Sequence, residues 1–163
     1  VFTNNCRASL DVIVFYGVPP KKLRAARDFQ LLDGDWSDFE EHQDSAVVGR
    51  AVASRRALKA GDKFSIGDLT VKVAGVFTSN DPAEENYIYS HLEFLQRGQR
   101  EDFVGTVTQH EILLQPGVDA AAKCDEIDTL FRGGPVESDT RPKGVFQAKS
   151  LGVRPGAQRK HAA

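Results

Sequence analysis

The chain has no methionine, two cysteines and one tryptophan in 163 residues. It also lacks any apolar run near the ~18 residues that a membrane-spanning helix needs. Each shortage excludes something. A sequence that starts at Val1 with no methionine anywhere reads as a trimmed segment, with no targeting peptide to interpret. Cys6 and Cys124 are too few and too far apart for a disulfide scaffold or a zinc cluster. A single bridge between them stays open, and the plainer reading makes Cys124 a small hydrophobe on a helix face. A net charge of -2, with both signs scattered along the chain, provides no basic face for nucleic acid. What is present, 40% apolar and 27% charged residues, is ordinary globular usage, enough for one domain with a real core.

Catalytic constellations are missing as well. His42, His91, His110 and His161 are dispersed, without HxH or HExxH spacing. Ser45, Ser54 and Ser65 lack a nucleophile elbow. Six acidic residues between Asp33 and Asp44 resemble a calcium loop, but its sixth and twelfth positions hold Asp38 and Asp44 where glycine and glutamate are required. The expectation there is a solvated acidic loop pinned by Trp36 and Phe39, with Trp36 a candidate partner contact. The reading therefore contains no catalytic, cofactor-binding or metal-binding residue, and leaves partner contacts unassigned.

Periodicity predicts the elements. "RASLDVIVFY" (7–16) reads as a strand stopped by Gly17, Pro19 and Pro20. "AVVG" reads as a short buried strand, and "RAVASRRALKAG" as a helix with Val52 and Leu58 inward and Gly61 as its C-cap. "DKFSIGDLTVKVAGVF" predicts a hairpin that turns at Gly67-Asp68 and slips its alternation at Gly75. Gly61 and Gly67 are turn glycines in this reading, not a phosphate cradle, because neither leads into a helix. "TSNDPAEEN" is a loop by composition. "YIY" is a strand, and "SHLEFLQRG" a helix with Ser90 as N-cap, Glu93 at the capping-box position and Gly98 as its stop. "FVGTVTQHEILLQPG" predicts a long strand closed by Pro116-Gly117. A helix capped by Asp119 follows, with Ala120, Cys124, Ile127 and Phe131 on one side, ended by Gly133-Gly134 and packed on a sheet. "VESDTRPKGVFQ" would be the next strand or extended segment, completing a β-α-β unit.

The fold class expected is α+β: small mixed sheets, a β-α-β unit and a hairpin-rich central lobe. The domain would run 1–155, with the central lobe at about 45–100, the β-α-β lobe formed by about 7–20 and 101–150, and a disordered tail at 156–163.

The stretch 46–77 resembles a segment of the extracytoplasmic domains of ABC-transporter permeases of the MacB/FtsX superfamily. The likeness is carried by Val47-Val48-Gly49, by Ala57-Leu58-Lys59-Ala60-Gly61-Asp62 and by Val73-Ala74-Gly75-Val76-Phe77. "ENYIYSHLEFLQ" and "ILLQPGVDAAAKCDEIDTLFRGGPVESDTRPKGVFQA" extend it over about residues 10–150. The resemblance implies a non-enzymatic domain without cofactor, on the periplasmic or extracellular face of the cytoplasmic membrane, within a longer membrane protein. It would transmit motion and contact substrate or partner proteins. The implied partners are an ABC ATPase subunit reached through the membrane domain, a second permease copy, and a periplasmic adaptor or substrate. Two other readings stay open: a stand-alone ligand-binding or adaptor module, and a hydrolase with dispersed carboxylates.

Overall fold

The computed structural model describes residues 2–4, 13–99 and 104–150. It divides into two compact units, Val1–Glu111 and Ile112–Ala163. Cys6, His161, the beginning of the 7–16 strand, Phe103 at the start of the predicted long strand, and the tail lie outside the described residues.

The first unit is built on one seven-stranded sheet. Its strands are β1 (Phe2–Asn4), β2 (Ile13–Val18), β3 (Gln30–Gly34), β4 (Ser45–Gly49), β5 (Lys63–Ile66), β6 (Leu69–Thr78) and β7 (Tyr87–His91). The order is β1-β2-β7-β4-β6-β3, with β5 also paired to β6. β2 and β7 are parallel, as are β4 and β6, and the remaining pairs are antiparallel. Strands 4 and 6 thus enclose a β-α-β crossover through α3 (Arg50–Arg56). The sequence reading placed that unit instead in a lobe of 7–20 with 101–150. The register of β2 corrects this partition, because Val14 to Val18 pair with Tyr87 to His91 inside the central sheet.

Period-2 alternation explains how this sheet is covered on both faces. Ile13 and Phe15 of β2, Ala46 and Val48 of β4, Val71 and Val73 of β6, and Ile88 of β7 form one core with Val52 and Ala53 of α3 and Leu95 of α4 (Leu92–Arg97). On the opposite face Val47, Ala74, Phe77 and Tyr89 pack with Leu23 of α1 (Pro20–Ala26), Phe29, and Phe39 of α2 (Trp36–Glu41). Short strand segments such as Ala46-Val47-Val48 are apolar throughout because both faces are buried. Each fully buried valine or phenylalanine contributes about 1.5–3 kcal/mol relative to exposure.

The predicted hairpin forms, with Ile66 opposite Leu69 and Gly67 at φ 57°. The slip at Gly75 also appears: β4 changes register between Ala46 and Val47, so that Val73 faces one core and Val76 returns to it one residue late. Gly75 and Gly34 are required there by close approach, since a Cβ on Gly34 would lie 2.0 Å from the Ala74 carbonyl oxygen.

Several boundaries differ from expectation. Helix α3 ends at Arg56, with Ala57 in the left-handed conformation, so Gly61 is not its cap. Ser90 is a buried strand residue, and α4 has His91 at its N-cap position with no side-chain cap bond. The acidic 33–44 stretch is not a loop: β3 and α2 occupy it, with the Asp35 carboxylate accepting from Ser37 N at 2.7 Å. Phe39 is fully buried, so the pinning role stands.

The second unit contains α5 (Ala120–Phe131) and α6 (Lys143–Ser150). Asp119 caps α5 as predicted, accepting from Ala121 N at 2.9 Å. No residue of α5 is buried, however, and no strand occurs among the described residues of 104–119 or 132–142. The long strand ending near Gln115 and the sheet beneath α5 are therefore corrected, and of the strand or extended segment expected after Pro135 no strand forms, its last residues opening α6 instead. β-propensity expresses packing against neighbouring strands, and none is available here.

Candidate functional site

The residues of the 46–77 stretch converge on structural tasks. Val48 delivers the chain to Gly49, where an added Cβ would meet the Glu85 carbonyl oxygen at 2.3 Å. Only glycine admits the 84–86 turn this close to the sheet. Arg50, the next residue, donates from Nε to Glu85 Oε2 at 3.1 Å. Thr78 Oγ1, from the end of β6, donates to Glu85 Oε1 at 2.6 Å. The Glu85 side chain is 7% exposed. The Thr78 hydrogen bond above all, against the opposing cost of burial and with help from Ser79 N–H and Arg50, holds its carboxyl below the usual range.

The second half of the motif is a turn held by carboxylates. Asp62 Oδ2 accepts from Lys59 N at 2.9 Å, and Asp33 Oδ2 of β3 accepts from Ala60 N at 2.8 Å. Gly61, at φ 89°, donates its N–H to Val73 O at 2.8 Å. Ala60, Gly61 and Asp62 are thereby stitched to β3 and β6, which is a packing role and not an anion site.

A neighbouring charged cluster was not anticipated. Glu84 is even more buried than Glu85; Ser79 Oγ donates to its Oε2 at 2.8 Å, and Arg27 Nε lies 2.7 Å from its Oε1. That Arg27 contact is an ion pair off the N–H axis rather than an aligned hydrogen bond. Arg27 Nη2 also meets Glu111 Oε2 at 2.5 Å. Three tyrosines border the cluster: Tyr16 stacks on Tyr89 at 5.6 Å and meets Tyr87 edge-on at 5.0 Å. Burial chiefly, then the charge environment of Tyr87 and Glu111, pushes the Tyr16 phenol up to about 12, and burial raises Tyr89 further. "DPAEEN" reads as a solvated loop, so its glutamates were missed. The available signal was an arginine directly after a buried strand, which needs a carboxylate partner.

The paired glutamates do not make an acid–base pair. Each is engaged by an arginine and by hydroxyl donors, and the Glu85 shift favours the ionised form, whereas a general acid needs a raised carboxyl pKa. The serines and histidines do not assemble either. Ser45 Oγ donates to the backbone oxygen of His42 at 2.5 Å, not to its ring. His42 Nδ1 lies 3.1 Å from Asp38 O, His91 Nε2 lies 2.5 Å from Phe39 O, and His110 is exposed. Ser54 is exposed on α3, and Ser65 Oγ pairs with Thr70 Oγ1 at 2.8 Å. Trp36 is half-buried, with the Arg24 guanidinium 5.7 Å from its ring centroid and Phe39 edge-on at 6.2 Å. Cys124 is free and half-buried. Among the described residues no group of three or more His, Cys, Asp or Glu side chains is placed to hold a metal ion.

In the first unit a mixed sheet is covered by helices on both faces, and Gly34, Gly49 and Gly75 serve close packing, which makes it an α+β scaffold. The chain belongs to the MacB-like periplasmic core domains, matching that family over residues 2–130. It is the periplasmic core domain of an ABC transporter permease in class. Among solved structures it is similar to a domain of a protein described as a permease from Porphyromonas gingivalis. The identity is 13% and the TM-score 0.45, over 82% of this chain and 56% of that one. The chain thus spans little more than half the length of that structure. A comparison with curated proteins finds no match. Among the described residues no helix is long and apolar enough to cross a membrane.

Proposed function

We propose that this domain is a rigid lever and contact surface of an ABC transporter permease, moved by an ATPase subunit that works through the membrane domain. The observation that carries the reading is the double-faced core of the first unit. One sheet is packed on both sides by residues such as Val47, Val48, Val73 and Phe77, all with no exposed surface. Close-packed interiors deform little, so a displacement applied at one edge reaches the other nearly whole. The functional surface is then set by loops and edges, with the cargo, a second permease copy or a periplasmic adaptor as its contacts.

Nothing in the Glu84–Glu85 cluster favours hydrolysis over this reading, since both carboxylates are bound to their own arginines. The test uses the full-length permease with its ATPase. Phe39→Ala empties a fully buried site and softens the domain without touching its surface. ATP hydrolysis should persist while transport or partner activation falls. Transport that remains normal although the domain has lost cooperative unfolding would show that rigidity is not what the transporter uses.

A further inference from the structure

Residues 104–111 form neither helix nor strand, and every one of them is exposed. Two side chains of the first unit nonetheless grip it. Gln96 Nε2, at the end of α4, donates to Thr106 O at 2.5 Å, and Arg27 Nη2 meets Glu111 Oε2 at 2.5 Å. Glu111 is the last residue of the first unit, so the Arg27 contact sets where the chain leaves it.

The guanidinium carries one positive charge and faces two carboxylates, and the two are unequal. The Glu84 side chain is 4% exposed, whereas that of Glu111 is 47% exposed. Releasing Glu84 would strand a buried charge, while releasing Glu111 returns a carboxylate to water it already touches. Glu84 and the Ala26 carbonyl, which accepts from Nη1 at 3.1 Å, orient the guanidinium from within. Tyr89, stacked on Tyr16, also hydrogen-bonds Arg27, and Nη2 is the nitrogen that faces the exposed Glu111 carboxylate. A guanidinium held in place from one side is the chemistry that recognises a carboxylate on the other.

We propose that Arg27 is a carboxylate-binding site that the chain's own Glu111 fills, fastening residues 104–111 to the first unit as a releasable strap. This holds whichever partner the domain serves, because both the receptor and its occupant lie in the first unit.

The test uses the 163-residue chain and Glu111→Gln. Thermolysin should cut within 104–113 about fivefold faster in the variant, in line with the loss of one partly exposed ion pair, while the melting temperature stays where it was. In Glu111→Gln, titration with sodium acetate should shift the Arg27 guanidinium NMR signals saturably. The same titration of the parent chain, and sodium chloride at equal ionic strength in the variant, should not. Unchanged cleavage in Glu111→Gln would overturn the strap, and an acetate response no larger than that to chloride would overturn the carboxylate site. Glu111→Ala provides a second variant. If neither variant folds, Glu111 is a structural residue rather than an occupant, and the proposal fails.

Discussion

The two units of this protein differ in how they use similar local sequence. In the first, Ala46-Val47-Val48 is a three-residue apolar run that the sheet buries completely. In the second, Ile112-Leu113 is as apolar, yet Leu113 is 77% exposed and forms no strand. The helices repeat the contrast: α3, seven residues long, buries Val52 and Ala53, while α5, twelve residues long, buries nothing. Local signals were sufficient for α5. Asp119 caps it, Lys123 and Glu126 pair along it, and Asp128 accepts from Ser138 Oγ at 2.7 Å and Thr140 N at 2.9 Å beyond it. The difference shows that capping and local pairing can define a helix without providing it with a core.

If the first unit holds the stability of the chain, Phe39→Ala should cost the most, about 3–5 kcal/mol, because a fully buried ring leaves a cavity between α2 and the sheet. Chemical denaturation would measure it, and a loss under about 1 kcal/mol would place the stabilising core elsewhere. Gly49→Ala should cost about 3 kcal/mol, since its Cβ meets Glu85 backbone and not a flexible side chain. The same measurement would reveal whether the 84–86 turn can retreat.

Acid should act on the first unit through Glu85. Its folded-state pKa is depressed, so the stability it contributes is present above the unfolded carboxylate range and is lost as pH falls through the folded value. Glu85→Gln should therefore flatten the fall in melting temperature below about pH 4. An identical acid profile in the two proteins would show that other carboxylates govern it. The smallest effect is expected from Ile127→Asp. A packed sheet beneath α5 would make this change costly, but with Ile127 only half-buried it should cost about 0.5 kcal/mol or less in the isolated chain. A large loss would mean that α5 is covered in solution.

How much was legible from residues alone follows this same division. The hairpin turning at Gly67-Asp68, the register slip at Gly75, the Asp119-capped helix and the resemblance carried by 46–77 all rest on neighbours in sequence, and all appear in the structure or the family match. The strand ending near Gln115 failed because its evidence was propensity alone. The Gly61 cap failed because Ala57 reached the left-handed conformation first, ending α3 a turn early. Glu84, Glu85 and Arg27 were illegible as a cluster, since Arg27 stands far along the chain from both glutamates and "DPAEEN" has the composition of a solvated loop.

The sequence by itself determined the local periods, the turn at Gly67, the Asp119 cap and the family, because each is written within a few residues or in an ordered string of motifs. Only the tertiary structure decided that β2 joins β7, that the crossover lies between β4 and β6, and that two glutamates are buried on two arginines. Strand partners and ion-pair partners are chosen by long-range burial, where many pairings share the same local pattern and differ only in how much apolar surface and how many charges each leaves unmatched.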